Sequence, residues 1–365
     1  MQHNRDFLTW LSEKKAREHL LKSLAHQLSR YLTGILSTPE SCRHFWSAIP
    51  SVRSACNENK TYAKPFAVEA YAYVHLLDRY WRTWGALVEM TKAAVLPLGQ
   101  RGVRILDVGT GPAPTPYAIS DFYDLLREYG LAVECEELTQ QTTHFSIIEK
   151  SPEMCRFMHR FGEFTERSGP SCSGRFDFSL VDPPAEREEL LRRLLNEEYY
   201  DYETGDSYSE YLPEEANWIA QRHARFRLVI FSNFFTLEDS VQAFEQPLRS
   251  LLLDLRPGSG VIVIGARGSH YPKIYSDLIS IAEDAGLVCL DSVPGVLGRN
   301  EYEVAARVIK KAQHQVYVHL ESIVGKDQLS QDGYPDYWSP EPHPKKRVDF
   351  ALRVFRKGNW PRQPG

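Results

Sequence analysis

The chain has 365 residues, 42% hydrophobic, 25% charged and 12% aromatic, enough apolar material for a packed core, which excludes disorder as the whole story. Its 43 Lys and Arg against 48 Asp and Glu leave a formal charge of −5, so no chain-wide basic field holds nucleic acid and any polyanion site must be local. Charges break up Met1 to Arg30 and no long apolar run occurs, so neither a membrane span nor a secretory signal is readable and a soluble, cytoplasmic protein is the expectation.

From Phe7 to Leu36 apolar residues recur at helical spacing (Leu8, Leu11, Leu20, Leu21, Leu24, Leu28, Leu32, Ile35), and Gly34 with Pro39 closes the stretch. These helices could pair with a second copy, giving a homodimer, or pack on their own chain. After a polar break at Ser51 to Lys60, Ala67 to Leu96 carries a second helical pattern, with Val68, Tyr71, Val74, Leu77, Trp81, Trp84, Leu87 and Met90 on its stripe. Residues 1–100 therefore read as a helical cap.

Beyond Arg104, short β-branched runs bounded by Gly, Pro or Asp alternate with helical stretches, the pattern of βαβ units around a parallel sheet. The predicted strands are Arg104–Val108, Phe145–Ile148, Phe176–Val181, Arg227–Phe231, Val261–Ile264 and Phe350–Phe355. Helices are predicted at Thr115–Tyr129, Pro152–Phe164, Ala185–Asn196, Leu237–Leu255 and Lys273–Ala285. This α/β unit spans residues 101–365 and contains a tyrosine-rich insertion at about 197–225. Between Glu186 and Asn217 eleven acids oppose three Arg, whereas from Glu341 to Gly365 seven Lys and Arg oppose two acids. The six cysteines contain no C-x-x-C pair, so reduced thiols are expected and no metal is assigned.

Val103 to Pro116 reads as a buried strand, a Gly-x-Gly turn at Gly109 and Gly111, and a helix start with Pro112, Pro114 and Pro116. Such a turn lets backbone approach a ligand, and the helix amides beyond it can bind an anionic or polar group. Asp107 closes the strand, where its carboxylate can accept from a ligand amine. His144 to Glu149 is a second strand ending in an acid, placed to bind both hydroxyls of a ribose. Leu131-Ala-Val-Glu134 is the alternative second strand, with Glu134 in that role, but it lacks the Ser-x-x-Met start of the following helix.

These residues resemble the class I S-adenosylmethionine-dependent methyltransferases, through Ile105-Leu-Asp-Val-Gly-Thr-Gly111 and Ile148-Glu149-x-Ser151-x-x-Met154. The resemblance covers roughly Arg104 to Phe355 and implies a Rossmann-like sheet below the helical N-terminal region. It implies S-adenosyl-L-methionine as cofactor, held by Asp107, Gly109, Thr110 and Gly111 at its methionine end, by Glu149 at the ribose, and by Asp182 and Ser232. The third glycine of the family's loop is Ala113 here.

Phe226 to Asn233 resembles the family's fourth strand, whose end faces the transferred methyl. Asn233 could accept from a substrate amine or hydroxyl, and Phe234 or Phe235 could stack on a flat substrate or on the sulfonium; the alternative is a strand end capping a helix, with two core aromatics. His270 follows the fifth strand as a candidate base, or as an ordinary surface histidine. Asp182-Pro-Pro is similar to the Asp-Pro-Pro-Tyr loop of amino-methylating nucleic-acid enzymes, but the aromatic residue is missing.

The implied activity is methyl transfer to a nucleophilic N, O or C atom of a small organic acceptor. RNA is the alternative acceptor, because the order of elements and the basic tail with Lys345, Lys346 and Arg347 are distantly similar to the mitochondrial small-subunit rRNA methyltransferase-like family. A third reading makes the chain a non-catalytic cofactor-binding module or partner subunit.

Overall fold

A computed structural model describes residues 2–53, 62, 64–98, 103–149, 151–165, 177–179, 199–200, 207–208, 226–236, 240–266, 271–290, 294–296, 299–330 and 349–358. It opens with helices α1 Gln2–Glu13, α2 Ala16–Ile35, α3 Pro39–Arg53 and α4 Ala67–Lys92. The helical stretch closes at Ile35, where Gly34 and Pro39 lead one to expect it, and Pro39 also opens α3. The Thr38 hydroxyl accepts from the Ser41 amide at 3.1 Å, and Pro39 stands in the first turn, where its missing amide hydrogen costs nothing.

The alternating part follows: β1 Val103–Val108, α5 Pro114–Ala132, α6 Glu136–Thr139, β2 Thr143–Ile148, α7 Pro152–Phe164 and β3 Asp177–Ser179. A short antiparallel ladder pairs β4 Tyr199–Tyr200 with β5 Ser207–Tyr208. Then come β6 Leu228–Ser232, α8 Ser240–Ala243, α9 Glu245–Asp254, β7 Gly260–Gly265, α10 Tyr271–Asp284, β8 Leu287–Cys289 and β9 Pro294–Val296. The last described elements are α11 Arg299–Val324, α12 Lys326–Ser330 and β10 Asp349–Lys357. The single helix predicted at Leu237–Leu255 is two, α8 and α9, because Pro247 has no amide hydrogen to carry the helical ladder across from Ala243. The predicted helix Ala185–Asn196, the tail Lys345–Arg347 and most of the acidic insertion lie outside the described residues.

Among the described residues the main sheet runs β3-β2-β1-β6-β7-β10-β8, with β9 paired to β10. Strands β1, β2, β3, β6 and β7 are parallel, and β10 is antiparallel between β7 and β8. This is the Rossmann-like α/β sheet that the sequence pattern predicts. The order reverses between β1 and β6, opening a crevice at their carboxyl ends where such sheets bind ligands.

Alternate side chains feed two cores. Ile105, Ile147, Leu228, Ile230, Ile262 and Ile264 join one, and Leu106, Val108, Val229, Phe231, Val261 and Val263 join the other. The first core is closed by the amino-terminal helices together with α5, α7 and α11. Phe7, Leu21, Leu24, Leu28 and Leu32 are buried there, so the apolar face of α1 and α2 is covered by this chain's own helices.

No helix was predicted where α11 lies, because its buried side includes Ala305, Ala306, Ala312 and Gln313 beside Val316 and Leu320, a stripe too small and polar to read as periodic. Specific hydrogen bonds fix it to the first helices. The Tyr73 hydroxyl donates to the Gln313 carbonyl at 3.2 Å, the Gln313 amide returns to the Tyr73 carbonyl at 3.1 Å, and Ser29 Oγ donates to the Ala312 carbonyl at 3.2 Å. The indole of Trp46 donates to Leu329 at 3.1 Å in α12. Among the described residues no helix is long and apolar enough to cross a membrane.

On the second face Lys357, on β10, donates through Nζ to the Leu252 carbonyl at 3.1 Å and to the Ala285 carbonyl, capping the ends of α9 and α10 together. Replacing it with Met keeps the stem and leaves both carbonyls without their charged donor. We expect Lys357→Met to lower stability by about 1–3 kcal/mol in urea unfolding, with secondary structure retained.

Candidate functional site

The site is built at the carboxyl end of β1. Gly109 and Gly111 have φ of 68° and 59°, values that only glycine adopts without a Cβ penalty. Ala113, at the place of the third glycine, keeps the same left-handed conformation at φ 62° and stands immediately before α5. Pro114 then supplies the first residue of the helix. The turn is tied to the neighbouring strand, since the Gly109 and Thr110 amides donate to the Ile148 carbonyl at 2.8 and 3.4 Å.

Beneath the turn lies Asp107, fully buried. One carboxylate oxygen accepts from the Thr110 hydroxyl at 2.5 Å, while the other, Oδ1, is buried with no hydrogen-bond partner. Burial raises its pKa to about 7, against the lowering effect of the Thr110 hydrogen bond and with a further rise from the Glu149 carboxylate. The Thr115 hydroxyl, in the first turn of α5, is a second buried polar atom without a partner. Buried polar groups in folded chains are nearly always satisfied; two of the ten buried side-chain atoms without a partner among the described residues stand at this glycine turn, where a ligand would complete the hydrogen bonding.

Glu149 stands at the end of β2, with Oε2 accepting from the Gly111 amide at 2.8 Å and Oε1 from the Ser151 amide at 3.0 Å. Ser151 in turn caps α7, its hydroxyl accepting from the Met154 amide at 3.3 Å, which accounts for the Ser-x-x-Met spacing. The competing strand Leu131–Glu134 is not a strand. It is the end of α5 followed by a turn with Glu134 at φ 53°, and Leu131 is 66% exposed.

The end of β6 reaches the same rim. Ser232 is buried and accepts from Asn233 Nδ2 at 3.4 Å; the Asn233 amide donates to the Ile264 carbonyl at 2.7 Å, continuing the pairing with β7. Asn233 has φ 55°, a conformation asparagine tolerates better than most residues, and it redirects the chain. Phe235 then enters the second core, while Phe234 remains half-buried with its ring against Gly109, where any added Cβ would run into it. Asp107, Gly109, Thr110, Gly111, Glu149, Ser232, Asn233 and Phe234 are thus gathered around one crevice, and Asp182 and His270 lie outside the described residues.

Sequence reading missed the contribution of α4. Tyr71 stands over the turn, 3.7 Å from where a Gly111 Cβ would lie, and its ring packs on His75 at 4.7 Å and Tyr62 at 5.4 Å. Tyr71 was legible only as one member of an apolar helical stripe. The signal that distinguishes it is the row Tyr71, His75 and Arg79 at spacings of four, polar residues on an otherwise apolar side.

No protein-family model matches this chain, and no curated protein matches it. Among solved structures, it is similar to an S-adenosylmethionine-dependent methyltransferase from Geobacter sulfurreducens in complex with S-adenosyl-L-homocysteine, at 10% identity and a TM-score of 0.36 over 85% of this chain and 98% of that one. It is also similar to a TehB-like S-adenosylmethionine-dependent methyltransferase from Corynebacterium glutamicum, at 14% identity and a TM-score of 0.32 over 76% and 88%. A third, from Methanosarcina mazei, has 8% identity and a TM-score of 0.34 over 71% and 94%. Identities and scores at this level say nothing about chemistry; this chain's own residues must supply it.

The buried Asp107 carboxyl has a measurable consequence. Because it titrates near 7 when folded and near 3.8 when not, the folded chain holds a proton that the unfolded chain gives up, and stability falls as pH rises from about 4 to about 7. Asp107→Asn remains neutral and keeps an acceptor for Thr110. Unfolding free energies of the two proteins from urea titrations should converge near pH 4 and separate by roughly 4 kcal/mol in favour of the variant by pH 8.

Proposed function

We propose that the chain is an S-adenosylmethionine-dependent methyltransferase that binds its cofactor in the crevice at the ends of β1, β2 and β6. The observation that carries this reading is the unpartnered oxygen of Asp107, buried beneath a positive-φ glycine turn and beside Glu149. The donor set fits the group. Asp107 is placed for the ammonium of its amino-acid end, and Glu149 offers carboxylate acceptors suited to a ribose diol. The Thr115 hydroxyl and Ser232 add polar contacts on either side.

When bound, S-adenosylmethionine supplies an electrophilic methyl group, and its transfer to a nucleophile leaves S-adenosylhomocysteine. In-line transfer of this kind asks the protein chiefly to align two reactants and keep water out. Asn233 and Phe234 are at the end of β6, where an acceptor would approach. Asn233 is suited to hydrogen-bond an amine or hydroxyl, and Phe234 gives the crevice an apolar wall. We assign the acceptor to small organic molecules rather than RNA. The net charge of −5 and the acidic stretch from Glu186 to Asn217 both oppose a phosphate backbone.

Calorimetry with S-adenosylhomocysteine tests the cofactor assignment. Glu149→Ala should weaken binding by about 1–3 kcal/mol, whereas Glu134→Ala should leave it unchanged. Since an ammonium favours the ionised partner, affinity should also rise as pH passes upward through about 7, and that dependence should vanish in Asp107→Asn. A wild-type chain that does not bind the compound refutes the assignment. The acceptor class is tested separately: salt-sensitive affinity for structured RNA at physiological ionic strength would overturn the small-molecule reading.

A further inference from the structure

Helix α4 brings a cation to the ring that stands over the glycine turn. Arg79 lies eight residues, or about 12 Å, along the helix from Tyr71, yet its guanidinium carbon is 4.9 Å from the Tyr71 ring centroid. The side chain therefore runs back along α4 toward the helix amino terminus. Tyr71 is also the residue that stands over Gly111, so one ring touches both the guanidinium and the turn.

The near neighbour of Arg79 on α4, Arg82, pairs with Asp78 at 2.8 Å, but among the described residues no carboxylate pairs with Arg79, which is half-buried. A half-buried guanidinium resting on the aromatic ring that touches the turn, with the Asp107 carboxyl buried beneath the same turn, supplies two poles of opposite sign. An α-amino acid carries two such poles, an ammonium and a carboxylate.

We propose that Arg79, held in place by Tyr71, binds the carboxylate of the amino-acid end of the cofactor, so that Asp107 and Arg79 together read its zwitterion. The inference rests on the cofactor reading above and adds the residue that distinguishes a complete amino-acid end from one lacking its acid group. A guanidinium suits this task because its planar fork matches a carboxylate, and stacking on tyrosine fixes the fork before the ligand arrives. The helical layer thereby contributes directly to ligand selection.

The test compares three adenosine compounds by calorimetry: S-adenosylhomocysteine, its decarboxylated analogue, which keeps the amine, and 5′-methylthioadenosine, which has neither group. Wild type should prefer the first over the second by tenfold or more. In Arg79→Met that preference should shrink to within about twofold, while affinity for 5′-methylthioadenosine stays unchanged. Arg79→Lys, which keeps charge and stem but loses the fork, should lose part of the preference and guards against a Met variant that fails to fold. If neither variant changes the preference, Arg79 does not bind the carboxylate. If wild type binds none of the three, the cofactor reading fails, and the role of Arg79 falls with it.

Discussion

The carboxylate of Glu149 is the link on which the site depends. It accepts from the Gly111 amide on one side and from the Ser151 amide on the other, joining the turn after β1 to the turn after β2. Without it, two adjacent loops at the open end of a sheet would be held only by the strand register and by the amides that donate to Ile148. A charged acceptor makes such hydrogen bonds shorter and stronger than neutral ones. It also places a second carboxyl near Asp107, which pushes the Asp107 pKa further up. The empty-handed oxygen of Asp107, the positive-φ turn and the capped start of α7 follow from this one anchored geometry.

Around that anchor the fold divides its labour by face. The second core, beneath α8, α9 and α10, packs β6 and β7 and fixes the rim that carries Ser232, Asn233 and Phe234. The first core is larger and brings the amino-terminal helices and α11 onto the opposite face. Tyr71 belongs to that core and still reaches Gly111, so the helical layer is both a cover for apolar strands and one wall of the crevice.

The sheet was legible in the sequence because its strands are buried on both faces and read as uninterrupted β-branched runs, as Val261 to Ile264 does. The glycine turn and Glu149 were legible because backbone geometry and a strand-end acid leave local marks. Three features were not. Pro39 looks like a break although it opens a helix, whereas Pro247, inside a run that reads as one helix, sits in the first turn of the second of two. Helix α11 hides because alanine and a hydrogen-bonded glutamine fill its buried side. The part played by Tyr71 and Arg79 depends on which residue a helix turns toward a distant loop, which periodicity does not encode.

Strand β10 has a consequence for the order of assembly. It lies inside the sheet, antiparallel between β7 and β8, although every other described element precedes it in the chain. During synthesis, the edge of β7 that pairs with β10 has no strand partner until α11 and α12 have been made. An unpaired apolar edge is the template on which nascent chains stick to one another. The sheet is complete only when residues 349–357 pair with strands that end some sixty or more positions earlier, the long-range kind of contact that slows folding.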